Sequence, residues 1–265
     1  MNIIEAKLET GDGTIAYLDS NTAGPALICL HGNTSCKEVF VNQFDELSKK
    51  YRVIAPDLPG FGNSFRSNTP ENAYQLCNMS STIKEFLLKL QIKNAFFFGW
   101  SLGGHIAIEL LKIPNLIKKL VIFGTPPLPL DNPAQAFNIP EDFSEFLNKL
   151  SYTKSEAKMF LSGSSGPAMC SDEILINAVI IADGEARRTV IKSLLSGEYN
   201  QAQIIAETDI PVMVMIGNND PVINNTYNDL IKLKFKKQYK AFNSLHDGFF
   251  EYPQKFNSIL VQFFS

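Results

Sequence analysis

The chain has 265 residues, 45% of them apolar and 19% charged, with a formal net charge of -3. That balance suits a globular protein with a buried core and lacks the basic stripe that a nucleic-acid backbone requires. Residues 1–10 lack the pattern of a secretion signal, nothing reaches the about 18 consecutive apolar residues of a membrane span, and Cys29, Cys36, Cys77 and Cys170 form neither a CxxC pair nor a metal-spaced set, so a reduced, cytoplasmic location is the expectation.

Residues 3–8 and 13–19 read as two strands joined by Gly11-Asp12-Gly13, a hairpin. The apolar run from Ala26 to Leu30 marks a strand buried on both faces. Ser35 and Glu38 have the spacing of a capping box, which predicts a helix running to Lys49. Tyr51 to Ala55 is the next strand, stopped by Pro56. From Tyr74 to Leu90 the chain reads as one helix, with Ile83, Phe86, Leu87 and Leu90 on a single face. A third buried strand, Ala95 to Phe98, is followed by a helix from about Ser101 to Lys112 that ends before Pro114. Leu120 to Phe123 is a fourth buried strand. Such alternation predicts a parallel sheet with helices on both faces, edged by the antiparallel opening pair.

Residues 126–202 break the pattern. They contain no strand and read as about four helices. Pro140 stands as the first residue of one, with Phe143, Phe146, Leu147 and Leu150 as its stripe. Thr153 and Glu156 form a second capping box, and Ala186, Val190, Ile191, Leu194 and Leu195 a further stripe ended by Gly197. Strands then resume at Val212–Ile216 and Lys237–Phe242, and Phe256, Ile259, Leu260 and Phe263 stripe a final helix. The fold class is therefore α/β: a mostly parallel sheet of about eight strands, with residues 1–125 and 203–265 as its core and 126–202 as a helical insertion. Lys118-Lys119 and Lys234–Lys237 read as solvated surface charge.

Gly99-Trp100-Ser101-Leu102-Gly103 is a G-x-S-x-G sequence. It directly follows a buried strand and opens a helix, the setting a nucleophile elbow requires. The serine of such an elbow sits on a strained turn, where side chains at the flanking positions would collide with strand and helix. The turn lifts the Ser101 hydroxyl to the carboxyl ends of the strands, where open α/β sheets bind ligands. Of three histidines, His246 lies in the loop after the last strand and can reach the elbow as general base. His105, one turn along the elbow helix, reads as a core histidine, and His31 as a structural hydrogen-bonder in a tight loop. Asp220, in the loop after the Val212–Ile216 strand, is the best acid to orient the base, and Ser101, Asp220, His246 is the chain order expected on this fold. Asp57 is expected to order its own loop, Asp247 would strain to fold back onto its neighbour, and Thr125 removes another acid position. The backbone N–H groups of Asn33 and Leu102 are the candidate oxyanion donors.

With these residues the chain resembles the α/β-hydrolase superfamily, in its cap-bearing branch of esterases, carbon–carbon bond hydrolases, perhydrolases and haloalkane dehalogenases. His31-Gly32 is similar to that family's oxyanion loop, residues 57–64 to its next strand-end loop, and Gly99 to His105 to its elbow. On this resemblance residues 126–202 are a cap, and Ser101 in place of an aspartate argues against a dehalogenase. The expectation is an enzyme that cleaves an ester or related acyl bond of a small to medium, partly apolar molecule through an acyl-enzyme on Ser101, with no cofactor and no metal. Carbon–carbon bond hydrolysis or perhydrolysis with the same triad, or slow-turnover ligand sensing on the same fold, are the alternatives.

Overall fold

Successive residues of the central strands point to opposite sides, and both sides are buried. Leu27, Cys29, Phe98 and Val121 join one apolar cluster, whereas Ile28, Leu30, Phe97 and Leu120 join another. The computed structural model, which describes residues 3–138, 146–227, 229 and 238–265, places these runs in one eight-stranded sheet. Its strands are β1 (Ile4–Glu9), β2 (Thr14–Asp19), β3 (Ala26–Leu30), β4 (Arg52–Pro56), β5 (Ala95–Trp100), β6 (Ile117–Phe123), β7 (Val212–Gly217) and β8 (Gln238–Phe242). They lie in the order β1-β2-β4-β3-β5-β6-β7-β8. The β1–β2 and β2–β4 pairs are antiparallel and the rest parallel, as the sequence predicted.

The connections supply the helices. Before β5 lie α1 (Val41–Leu47), α2 (Pro70–Ala73) and α3 (Leu76–Lys89), and after it α4 (Leu102–Leu110). Between β6 and β7 the named elements are helical: a 3-10 turn at Pro133–Ala136, then α5 (Lys154–Ser162), α6 (Pro167–Ser171), α7 (Glu173–Ile181), α8 (Gly184–Leu194) and α9 (Gln201–Glu207). The chain closes with α10 (Gly248–Glu251) and α11 (Pro253–Phe264). Residues of α3 and α4 pack in one apolar cluster, and those of α1 and α11 in the other, so the sheet is covered on both faces. The division drawn at 202/203 falls inside α9.

One local expectation is corrected. Ser35 and Glu38 form no capping box; a 3-10 turn, Lys37–Phe40, precedes α1, and Cys36 stands at its cap without a side-chain bond. The cause is Lys37. Its backbone N–H donates to Asp57 Oδ1 at 2.7 Å, and its buried ammonium lies 3.1 Å from Asp57 Oδ2 and 2.7 Å from Glu38 Oε1, which takes the glutamate away from the cap. The helix expected over 74–90 is α3, and the short α2 precedes it; Tyr74, between the two, turns inward and donates its hydroxyl to Asp183 at 2.8 Å. The box at Thr153 and Glu156 does form, at the start of α5. Pro140, Phe143 and Lys234–Lys237 lie outside the described residues.

Candidate active site

β5 ends at Trp100 and α4 starts at Leu102, which leaves Ser101 alone on the turn with φ 51° and ψ −117°. An L-residue pays strain to hold a positive φ. Four bonds hold it: Ser101 N–H donates to Phe123 O at 2.9 Å, and Ser101 O accepts from Gly104 N–H and the Thr125 hydroxyl, each at 2.9 Å, and from His105 N–H at 3.2 Å. A Cβ on Gly103 would stand 2.0 Å from Leu30 O, so the helix can approach β3 only with glycine there. The turn therefore exists because β5, β6 and α4 converge on it, as the G-x-S-x-G spacing predicted.

Asp220 and His246 come from the loops after β7 and β8. His246 Nδ1 lies 2.6 Å from Asp220 Oδ2, and both side chains are buried. The second carboxylate oxygen of Asp220 accepts the Val222 N–H at 2.9 Å, which fixes the carboxylate plane. With the Asp220 carboxylate ionised, Nδ1 carries the hydrogen and Nε2 is left with its lone pair. The loop around His246 is held at its backbone: Trp100 Nε1 donates to His246 O at 2.7 Å, and His246 N–H donates to Ser164 O at 3.1 Å. Burial pulls the imidazolium pKa down, but the charge and hydrogen bond of Asp220, with the charge of Asp247 behind them, raise it above the ordinary histidine value.

Ser101 and His246 line one cavity of about 330 Å³, together with Asn33 and Leu102. No direct hydrogen bond joins the Ser101 hydroxyl to the His246 ring, and such bonds often tighten only with substrate. The far wall is apolar and comes from the helical segment between β6 and β7: Phe160 and Leu161 of α5, Met169 of α6, Leu175 of α7 and Leu194 of α8.

The remaining candidates take other positions. Asp57 holds Lys37 and accepts the Asn63 N–H at 2.8 Å, so it orders its own loop. Asp247 turns away from His246 and accepts the Gly166 N–H at 2.9 Å; burial raises its carboxyl to about 6. His31 is a structural bonder: its Nδ1 meets Gly32 O at 2.7 Å and its Nε2 accepts the Leu58 N–H at 2.9 Å. His105 is buried as expected, yet it also lines the cavity. Sequence reasoning missed Gly124 and Trp100. Gly124 has φ +60°, and a Cβ there would stand 2.8 Å from the His246 ring. Its glycine, one residue past β6, was the available signal. Among the described residues no group of three or more His, Cys, Asp or Glu could hold a metal ion, and no helix is long and apolar enough to cross a membrane.

The family model for the alpha/beta hydrolase fold matches residues 25–162, from β3 through the elbow into the helical segment. The chain belongs to this family. Among its relatives, the AB hydrolase superfamily protein YisY of Bacillus subtilis is 23% identical, with 97% of each chain covered. A pimeloyl-[acyl-carrier protein] methyl ester esterase of Nitrosospira multiformis is 25% identical over 93% of this chain and 97% of its own. Among solved structures, N-acyl homoserine lactonase AidH in complex with N-butanoyl homoserine is 32% identical, with a TM-score of 0.89 over 98% of this chain and 96% of that one. Esterase- and lactonase-like proteins are thus among the relatives of this hydrolase-fold chain.

Proposed function

We propose that the protein is a serine hydrolase that cleaves esters and lactones carrying an apolar acyl group, with Ser101, His246 and Asp220 as its triad. The observation that carries this reading is the 2.6 Å contact between His246 Nδ1 and Asp220 Oδ2, beside a strained serine that lines the same cavity. Ser101 Oγ attacks the carbonyl carbon as His246 Nε2 takes its proton, and Asp220 stabilises the imidazolium. The Asn33 and Leu102 N–H groups, from the loop after β3 and the first residue of α4, hold the oxyanion; each such donor contributes roughly 3 kcal/mol at the transition state. The proton returns to the leaving alkoxide. A lactone keeps that alcohol tethered in the acyl-enzyme, and water activated by His246 then releases the open hydroxy acid.

Residues 126–202 serve as a cap whose apolar side chains hold the acyl group and exclude water. The 32% identity to a lactonase recorded with N-butanoyl homoserine favours acyl-bearing lactones as substrates beside simple esters. The test compares the wild type with Ser101→Ala on p-nitrophenyl hexanoate and N-hexanoyl homoserine lactone, with fluorophosphonate labelling alongside. Wild-type turnover of either compound, lost by at least about 10³-fold in Ser101→Ala together with the label, is the expected result. A folded Ser101→Ala variant that keeps its activity, or a wild type that cleaves neither, overturns the proposal.

A further inference from the structure

His105 sits one turn after Ser101 on α4 and is buried, with 2% of its surface exposed. Residues four apart on a helix are neighbours, with about 5–6 Å between their Cβ atoms. Helical side chains also lean back toward the N-terminus, so the imidazole is carried toward the serine's end of the helix. Its surroundings fix which nitrogen bears the hydrogen. Gln201 of α9 places its amide nitrogen 3.0 Å from His105 O and 3.0 Å from Glu109 Oε1, both acceptors. The Gln201 amide is therefore oriented with its oxygen toward the ring, where Oε1 meets His105 Nδ1 at 2.7 Å. An oxygen can only accept, so Nδ1 donates and Nε2 is a bare acceptor. Burial lowers the imidazolium pKa to about 4, despite the Gln201 bond, so the ring is neutral near pH 7.

Nε2 has no hydrogen-bond partner among the described residues. The enclosed polar atoms without partners are Gln43 Oε1, Arg187 Nε and Nη1, and Asp247 Oδ1; His105 Nε2 is not one of them, and His105 lines the cavity. The unpaired nitrogen is thus open to the space where the proposed substrate sits. Its neighbour on that wall is apolar, the Phe137 ring at 6.0 Å between centroids.

We infer that His105 Nε2 is a specificity-determining acceptor for a hydrogen-bond donor carried on the carbon next to the scissile carbonyl, such as the N–H of an α-acylamino ester or lactone. The placement suits it. An N–H at that position is two bonds from the carbon that Ser101 attacks, and one hydrogen bond further spans the remaining distance to a side chain one helical turn away. Gln201 acts as the positioning residue, because it fixes the tautomer. The inference rests on the serine hydrolase reading above.

The experiment uses two isosteric esters with one leaving group: p-nitrophenyl N-hexanoylglycinate, which carries the N–H, and p-nitrophenyl 4-oxononanoate, in which a methylene replaces it. The wild type is expected to favour the first in kcat/KM by roughly tenfold or more, the usual worth of one such bond. His105→Phe keeps a ring and removes the acceptor, and should bring the ratio close to one. Gln201→Leu frees the tautomer and should lower the ratio partway. A structural role for His105 would slow both esters alike and leave the ratio where it was. A wild type that cleaves both esters equally well overturns this inference and leaves the hydrolase reading intact; a wild type that cleaves neither overturns both. Should His105→Phe fail to fold, Gln201→Leu and the wild-type ratio still decide.

Discussion

The loop after β8 and the first turn of α4 each bring a buried histidine to the same cavity, and the two rings are tuned in opposite directions. His246 is 5% exposed and His105 2%, so burial penalises the charged form of both. His246 faces the Asp220 carboxylate, and its pKa ends above the ordinary value. His105 faces the neutral amide of Gln201, and its pKa falls to about 4. A single carboxylate separates a ring suited to taking a proton from one suited only to accepting a hydrogen bond.

The largest expected effect comes from erasing that difference. Asp220→Asn keeps the shape and removes the charge, and should cut kcat by about 10⁴-fold with melting temperature little changed. The pH profile of kcat/KM sharpens the same point. His246 must be neutral to act as base, so activity should fall as pH drops through its folded pKa, and that acid limb should lie above the ordinary value of about 6.5. In Asp220→Asn burial remains without its counterweight, and any residual activity should show the limb at lower pH. A variant whose limb does not move would separate Asp220 from the tuning of His246.

Gly124→Ala disturbs one ring and leaves the other alone. The new Cβ would stand 2.8 Å from His246 Cε1 and Nδ1 on a residue with φ +60°. The backbone strain costs about 1–2 kcal/mol, and a ring displaced by even an ångström lowers turnover by roughly 10²-fold. Steady-state kinetics beside a melting curve reads both. Equal kcat for Gly124→Ala and wild type would show that the ring has room the geometry denies it.

This contrast also marks where the sequence stops being readable. The sheet was legible because strands buried on both faces are continuous apolar runs, such as Ala95–Phe98, and a G-x-S-x-G directly after one has a single local meaning. Asp220 and His246 were legible because loops at the ends of neighbouring parallel strands must meet at one edge. The Gln201–His105 pair was not: 96 residues separate the partners, and a glutamine early in a helix shows no sign of pointing inward until α9 is packed on α4. Ser35 and Glu38 misled for the same reason, because Asp57 claims Lys37 from across the sheet edge and Lys37 claims Glu38.

His105 also leaves a mark on stability. Its folded pKa, about 4, lies below its unfolded value, so the neutral ring favours the folded state fully above about 6.5, and that contribution is lost as pH falls toward 4. The lost stabilisation is on the order of 3 kcal/mol. His105→Phe has nothing to titrate there, so its urea midpoint should decline less than that of the wild type between pH 6.5 and 4. Parallel declines in the two proteins would mean that the ring accepts a proton more readily than its burial allows.

The smallest effect belongs to the helical segment that walls the cavity. Thr153 accepts the Glu156 N–H at 3.3 Å, and Glu156 Oε2 accepts the Thr153 N–H at 2.8 Å, a capping box closing the exposed start of α5. Thr153→Ala removes one half of the box and should cost about 1 kcal/mol, which for a chain of this size lowers the melting temperature by about 2–4 °C. The cap is at the first turn of α5, whereas Phe160 and Leu161, which reach the cavity, are in its last. Fraying at the first turn therefore spares the wall, and kcat/KM for p-nitrophenyl hexanoate should stay within about twofold of wild type. A larger loss of activity at unchanged global stability would instead mean that α5 moves as a unit over the site, and that its cap belongs to the same mechanical element as the two histidines.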